Sequence, residues 1–214
     1  GEAYLAFLRS RLSIAVRPGF KVVVDCANGA SSAYAPRILR ELGWEVEALH
    51  CAPDGRNINE GCGSLHPETL AARVRAAGAA VGIAYDGDAD RSIWADETGA
   101  VLNGDHTLYI LARHMKEKGR LAAGRVVATT MSNMGLERAL ERDGIGLFRT
   151  RVGDKYVFEE MARSGANLGG ERSGHTILLD DGPTGDGILT SLRLLEVMAE
   201  TGLPLSALRA GFEE

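Results

Sequence analysis

Val81-Gly82-Ile83-Ala84-Tyr85-Asp86-Gly87-Asp88-Ala89-Asp90-Arg91 is an apolar run that breaks into three aspartates, spaced by two small residues and closed by an arginine. The run reads as a buried strand, and the acidic stretch as the loop at its carboxyl end. The small residues between the acids let all three carboxylates turn toward one point. Carboxylates that close repel one another unless a positive charge sits among them. All-oxygen ligation suits a hard divalent ion, Mg²⁺ or Ca²⁺, rather than zinc or copper. Asp86, Asp88 and Asp90 are therefore metal-ligand candidates. Arg91 adds a rigid positive fork, suited to holding a phosphate or to clamping one of the carboxylates. The acids also match part of an EF-hand loop, with Glu97 in the closing place. That loop needs Gly where Arg91 stands, and it needs flanking helices, whereas both flanks here read as strands. An ion-free acidic turn is the plainer alternative.

Working outward, the segments before the loop read as a lead-in helix over 4–12, a strand over 21–26, a helix over 33–42, a strand over 45–50, a helix over 68–77 and the strand already quoted. This β-α-β-α-β order predicts a parallel sheet with helices on both faces. After the loop, 92–95 and 100–102 predict a hairpin at the sheet edge. The pattern then restarts. Asp105 is read as the N-cap of a helix reaching Lys118. A strand follows over 125–130, then a helix capped by Ser132 or Asn133. Next come a strand over 147–151, a helix capped by Asp154, short strands over 167–169 and 176–179, and a last helix over 185–200. The fold class expected is α/β: two consecutive domains, 1–103 and 104–214, each a mostly parallel mixed sheet with helices on both faces. The two units share their logic but show no sequence repeat.

A second constellation lies in the second unit: Gly169-Gly170-Glu171-Arg172-Ser173-Gly174-His175. In extended geometry Glu171, Ser173 and His175 would point the same way. A carboxylate, a hydroxyl and an imidazole on one side suit a grip on the vicinal hydroxyls of a polyol. A plain Gly-rich turn between strands is the competing reading, and His175 could orient the loop rather than touch a sugar. Arg151, Asp154 and Lys155 form a third cluster. Arg151 and Lys155 could meet a phosphate or assist proton transfer, or could be surface charge.

Composition narrows the classes. The chain has 214 residues, 45% hydrophobic and 25% charged, with net charge −5. That balance suits one or two globular domains and argues against a nucleic-acid surface. Cys26, Cys51 and Cys62 are odd in number and lack metal spacing, which fits a reducing cytoplasm. His50, His66, His106 and His114 show no ligand spacing either and read as packing or surface residues. No apolar run approaches a membrane span, and the opening residues do not read as a signal peptide.

The acidic loop and the Glu171 loop, in this order, resemble those of the α-D-phosphohexomutase superfamily. Supporting stretches are Val22 to Ala30, Asn57-Ile58-Asn59, Met131 to Leu136, Val152 to Val157 and Thr184-Gly185-Asp186-Gly187. The resemblance implies that Asp86, Asp88 and Asp90 bind Mg²⁺ and that Arg91 stands beside the transferring phosphate. It implies that the loop with Gly170, Glu171, Ser173 and His175 holds the sugar; Arg151, as a substrate-binding residue, and Lys155, as a catalytic one, remain candidates from residue type alone. The implied substrate is a hexosamine phosphate, its phosphoryl group exchanged between the 6- and 1-hydroxyls of glucosamine through a phosphoserine enzyme and a bisphosphate intermediate. A phosphomannomutase or phosphoglucomutase is the alternative within the class, and a non-catalytic Mg²⁺ or sugar-phosphate binding module the alternative outside it. A haloacid-dehalogenase-type phosphatase is disfavoured, since Asp25 is followed by Cys26-Ala27-Asn28 and not by that family's nucleophile motif. The family's Ser-His-Asn nucleophile loop and its Arg-x-Ser-Gly-Thr phosphate loop are both missing. The expectation is thus a fragment holding the two central domains, inactive alone, whose partners are the N- and C-terminal domains of the same polypeptide.

Overall fold

The computed structural model describes residues 1–12 and 20–214. By their internal contacts the residues form two compact units, Gly1–Leu102 with Gly187–Leu208, and Asn103–Asp186 with Arg209–Glu214.

In the first unit the strands are β1 (Lys21–Asp25), β2 (Glu45–Leu49), β3 (Val81–Tyr85), β4 (Ser92–Asp96) and β5 (Val101–Leu102), in sheet order β2-β1-β3-β4-β5. The first three run parallel, and β4 and β5 add antiparallel at the edge, as the hairpin reading requires. The helices are α1 (Glu2–Arg11), α2 (Ala35–Glu41) and α3 (Pro67–Ala77). Proline opens α3, where its missing N–H removes no helical bond, and Gly78 closes it in the left-handed region. Leu70, Ala71 and Val74 of α3 pack on Val23, Ala84 and Ala95 of the sheet. Burying side chains such as Leu70 and Val74 contributes about 1.5–3 kcal/mol each.

The opposite face of this sheet meets α7 (Gly187–Thr201), where the buried Tyr85 hydroxyl lies 2.9 Å from Ser191 Oγ. Ile188, Leu192, Leu195 and Met198 of α7 are all buried. A helix apolar on so much of its surface must be enclosed. It begins at Gly187 rather than at 185, and it belongs to the first unit although it follows the second along the chain. The short helix α8 (Leu205–Leu208) follows, and the Ser206 hydroxyl hydrogen-bonds the Glu97 carboxylate. Glu97 therefore does not close an EF-hand loop, and the flanks of the acidic loop are strands.

In the second unit β6 (Arg125–Thr129), β7 (Gly146–Thr150), β8 (Leu168–Gly170) and β9 (Thr176–Leu178) lie in the order β7-β6-β8-β9. The first three are parallel and β9 is antiparallel. This repeats the second-first-third-fourth order of the other sheet, a kinship that the sequence does not display. The helices are α4 (Gly104–Glu117), α5 (Met134–Arg142) and α6 (Asp154–Ser164). Gly169 faces Val157 and Met161 of α6, while the next residue, Gly170, faces Leu108 of α4, so helices cover both faces.

Two cap readings need correction. Asn103, not Asp105, caps α4: its side chain accepts from Asp105 N, and His106 completes a capping box. Asp105 lies inside the first turn, fully buried, where its Oδ2 accepts from Asn133 N at 2.8 Å. Asp154 is the first helical residue of α6, with Gly153 at the cap, and its Oδ1 accepts from the neighbouring Lys155 N. Gly153 takes the cap because the backbone there needs φ of 128°, which is accessible to glycine.

Candidate functional site

The acidic loop leaves the carboxyl end of β3 and turns directly into β4. Ala89 sits in the left-handed region, and its N–H donates to Asp86 O at 3.2 Å. This tight turn folds the three aspartates back on one another, with one carboxylate oxygen from each within 4.8 Å of the others. Asp86 is 9% exposed and Asp88 is open to solvent. Burial, then the neighbouring Asp90 carboxyl, pushes the Asp86 pKa up to about 7. A divalent cation would offset the same repulsion, and the all-oxygen donor set fits a hard ion such as Mg²⁺. Arg91 Nε lies 3.7 Å from Asp86 Oδ2 and 3.6 Å from Asp90 Oδ1, and its backbone N–H donates to Asp86 Oδ1. Both uses read for Arg91, a clamp on the loop and a cation beside it, stay compatible with that placement.

The loop is gripped from three sides. Ala30 N donates to Gly87 O at 2.8 Å, and a Cβ on Gly29 would stand 2.8 Å from the Gly87 carbonyl carbon. A Cβ on Gly87 would meet Ile58 Cδ1 at 2.7 Å and Asn59 Nδ2 at 2.9 Å. Gly187 N donates to Ala89 O at 2.9 Å, which seats the start of α7 on the loop. In sequence these stretches read as a turn, a loop and a helix start, with no link to the acidic loop.

In the second unit the Glu171 loop joins β8 to β9. It is not extended. Gly174 N donates to Glu171 O at 3.0 Å and Glu171 N to His175 O at 2.8 Å, so residues 171–174 form a closed turn. The alternation that would have aligned Glu171, Ser173 and His175 is lost, because backbone hydrogen bonds between close strands favour the tight connection. Ser173 is exposed, Glu171 half-buried and His175 only 5% exposed. The His175 ring packs under Gly185, where no Cβ fits. Gly170 lies in β8 against the His175 backbone.

Glu171 Oε1 accepts from Gly153 N at 2.9 Å, at the start of α6, where a helix favours negative charge. This bond brings the Glu171 loop to the segment carrying Arg151, whose guanidinium stacks on the Tyr156 ring at 4.2 Å. Lys155 points away: its side chain is 74% exposed and its ammonium lies 3.8 Å from Glu159. A Cβ on Gly104 would collide with the Glu171 carbonyl oxygen, and Gly104 N donates to Arg172 O at 2.9 Å. The start of α4, with buried Asp105 holding Asn133, is thus the base of this loop. The run Asn103-Gly104-Asp105-His106 carries that signal, although in sequence it reads as a domain boundary and a helix start.

Residues 2–99 match the family model for phosphoglucomutase/phosphomannomutase α/β/α domain II, and residues 103–214 that for domain III. The phosphoglucosamine mutase of Heliobacterium modesticaldum is 54% identical over 99% of this chain, and that of Moorella thermoacetica 55% identical over 98%. The chain spans about half the length of these relatives, 46% and 47%. Among solved structures, a putative phosphomannomutase from Thermus thermophilus superposes with a TM-score of 0.82 at 30% identity, covering 97% of this chain and 49% of that one. The N-acetylphosphoglucosamine mutase of Aspergillus fumigatus, solved with GlcNAc-6P and magnesium, shares the fold with a TM-score of 0.73 at 19% identity, over 99% of this chain and 52% of that one. The chain belongs to the phosphoglucomutase/phosphomannomutase family and carries its α/β/α domains II and III.

Proposed function

We propose that the chain is the central part of a Mg²⁺-dependent phosphosugar mutase that interconverts glucosamine 6-phosphate and glucosamine 1-phosphate. The observation that carries the reading is the gathering of Asp86, Asp88 and Asp90 at the end of β3, beside Arg91. Identities of 54% and 55% to phosphoglucosamine mutases support glucosamine as the sugar. Phosphoglucose and phosphomannose remain the second reading, favoured by the 30% identity to a putative phosphomannomutase.

In this reading the three aspartates hold Mg²⁺, which when bound neutralises charge on a phosphoryl group in transfer. Arg91 faces that group and fixes it in line. Glu171 and Ser173 hold sugar hydroxyls, with Gly170 and His175 setting the loop. Arg151 takes the phosphate that is not transferring. Lys155, exposed and paired with Glu159, would have to swing from its present place to take part in catalysis. The phosphoryl group would travel from a phosphoserine to a sugar hydroxyl, giving a bisphosphate, and return to the serine from the other position. That serine and a further phosphate clamp would come from N- and C-terminal domains of the longer polypeptide. The functional division falls near residue 103, and the enzyme works in the cytoplasm. No described helix is long and apolar enough to cross a membrane.

The test is turnover by the full-length parent on glucosamine, glucose and mannose 6-phosphates, beside the 214-residue chain alone. Preference for glucosamine with an inactive short chain supports the reading. Mutase activity of the short chain would refute the fragment assignment. No activity in any longer form would leave a binding module.

A further inference from the structure

Among the described residues two clusters bring three potential metal donors together, and their chemistry differs. The first is the acidic loop. The second joins Asp25, His50 and Cys62, a carboxylate oxygen, a ring nitrogen and a sulfur within 4.8 Å of one another. We infer that this second cluster is a separate site for a borderline-soft divalent cation of the zinc class. The inference is independent of the sugar specificity proposed above.

The donor set is one that tetrahedral zinc takes and that Mg²⁺ does not. Ligand bonds of about 2.0–2.3 Å place tetrahedral donors roughly 3.3–3.8 Å apart, so a small contraction of the cluster suffices. Three protein ligands leave a fourth position for water.

The three residues are distant in sequence and are brought together by rigid backbone. Asp25 ends β1, His50 follows β2, and Cys62 precedes a short helical turn, Gly63–Leu65. Asp25 is fully buried. Its Oδ1 accepts from Ala27 N at 2.9 Å and its Oδ2 from Gly63 N at 3.1 Å, with His50 Nδ1 at 3.0 Å from Oδ2. A Cβ on Gly63 would lie 2.5 Å from both Tyr85 O and Ala27 Cβ, so the backbone after Cys62 is pressed onto the strand ends. His50 sits in the left-handed region at φ of 48°, its carbonyl held by Asn28 N at 2.6 Å. Backbone amides on the carboxylate, and Asn28 Nδ2 at 4.0 Å from Cys62 Sγ, are contacts of the kind that orient metal ligands. The His50 side chain is 34% exposed and offers the entry path.

Burial, and then Asp25, raise the pKa of the Cys62 thiol. Binding must therefore displace that proton, as a coordinated thiol is deprotonated by its metal. The ion would replace the His50–Asp25 contact and tie segment 57–63 to β1. That segment contacts the acidic loop through Ile58 and Asn59, and Asn59 N donates to Ala27 O at 2.9 Å. Occupancy of the second site would thus stiffen the support of the first.

Cobalt(II) titration of the 214-residue chain tests this, since a thiolate ligand gives a charge-transfer band in the near ultraviolet. Wild type should show the band, and zinc should abolish it by displacement. Cys62→Ser should remove it, and His50→Gln, which takes away a ligand, should weaken binding by more than the roughly tenfold to hundredfold lost when a group that only orients a ligand is removed. Cys51→Ser and Asp88→Asn should keep it. Thermal melting without metal checks that each variant folds. If Cys62→Ser does not fold, alkylation of wild type read by mass spectrometry replaces it: zinc should protect Cys62 selectively. Absence of the band, its persistence in Cys62→Ser, or alkylation of Cys62 indifferent to zinc would each overturn the site.

Discussion

The acidic loop and the Glu171 loop occupy the same place in two sheets of the same order, each joining the third strand to its antiparallel neighbour. Their chemistry is opposite. The acidic loop gathers three carboxylates, and burial together with the neighbouring Asp90 carboxyl pushes Asp86 to about 7. The Glu171 loop spends its carboxylate inside the unit, on the Gly153 N–H at the start of α6, and leaves only Ser173 exposed. One architecture thus supports a loop whose carboxylates crowd one another and a loop whose carboxylate is anchored by a backbone amide. The strand order decides where each loop emerges, and the side chains decide what it can hold.

The largest effects should come from the glycines on which both loops rest. Gly29→Ala and Gly104→Ala each press a methyl into a backbone carbonyl, and each should destabilise by about 3 kcal/mol, read by urea unfolding. A neutral result at either would break the parallel between the loops. Next, Glu171→Ala in the full-length enzyme should lower catalytic efficiency tenfold to a hundredfold, about 1.5–3 kcal/mol, without changing Mg²⁺ affinity. Unchanged efficiency would reduce Glu171 to a structural tether. Asp88→Asn should do the reverse, weakening Mg²⁺ binding about tenfold by calorimetry, near 1.4 kcal/mol. Equal affinity in both proteins would remove Asp88 from the ligand set.

Asp105, under the Glu171 loop, sharpens the comparison by pH. Burial raises its pKa, outweighing the hydrogen bond it accepts from Asn133 N. A raised carboxyl pKa contributes stability that is present below the unfolded value and lost as pH rises through the folded one. The stability of wild type relative to Asp105→Asn should therefore fall with rising pH, beginning near the ordinary Asp value of about 3.9. A flat difference would mean that Asp105 titrates as it does in the unfolded chain. The smallest effect belongs to Lys155→Ala, which should change stability by less than about 0.5 kcal/mol, since its pair with Glu159 is exposed. A collapse of full-length activity at unchanged stability would give Lys155 a part in the chemistry.

The strands, their succession along the chain and the three aspartates were legible because each rests on short-range pattern. A continuous apolar run must be buried, and alternating acids with small spacers must turn together. The caps were misread at Asp105 and Asp154 because a carboxylate near a helix start looks the same in sequence whether it caps the helix or lies within the first turn. Asn103 and Gly153 took the caps, one by its side chain and one by its backbone freedom. The alignment of Glu171, Ser173 and His175 failed because a strand pattern was extended through what is a hydrogen-bonded turn.

By itself, then, the sequence determined the α/β class, the acidic loop at a strand end and the donors it offers, since those depend on neighbours a few residues apart. Only the tertiary structure decided that α7 belongs with the first unit, that Glu171 grips Gly153, and that His50 meets Asp25 and Cys62. Histidines and cysteines without ligand spacing look inert along the chain. What joins them is the packing of strand ends and one glycine pressed against Ala27 and Tyr85, and no local pattern encodes that closure.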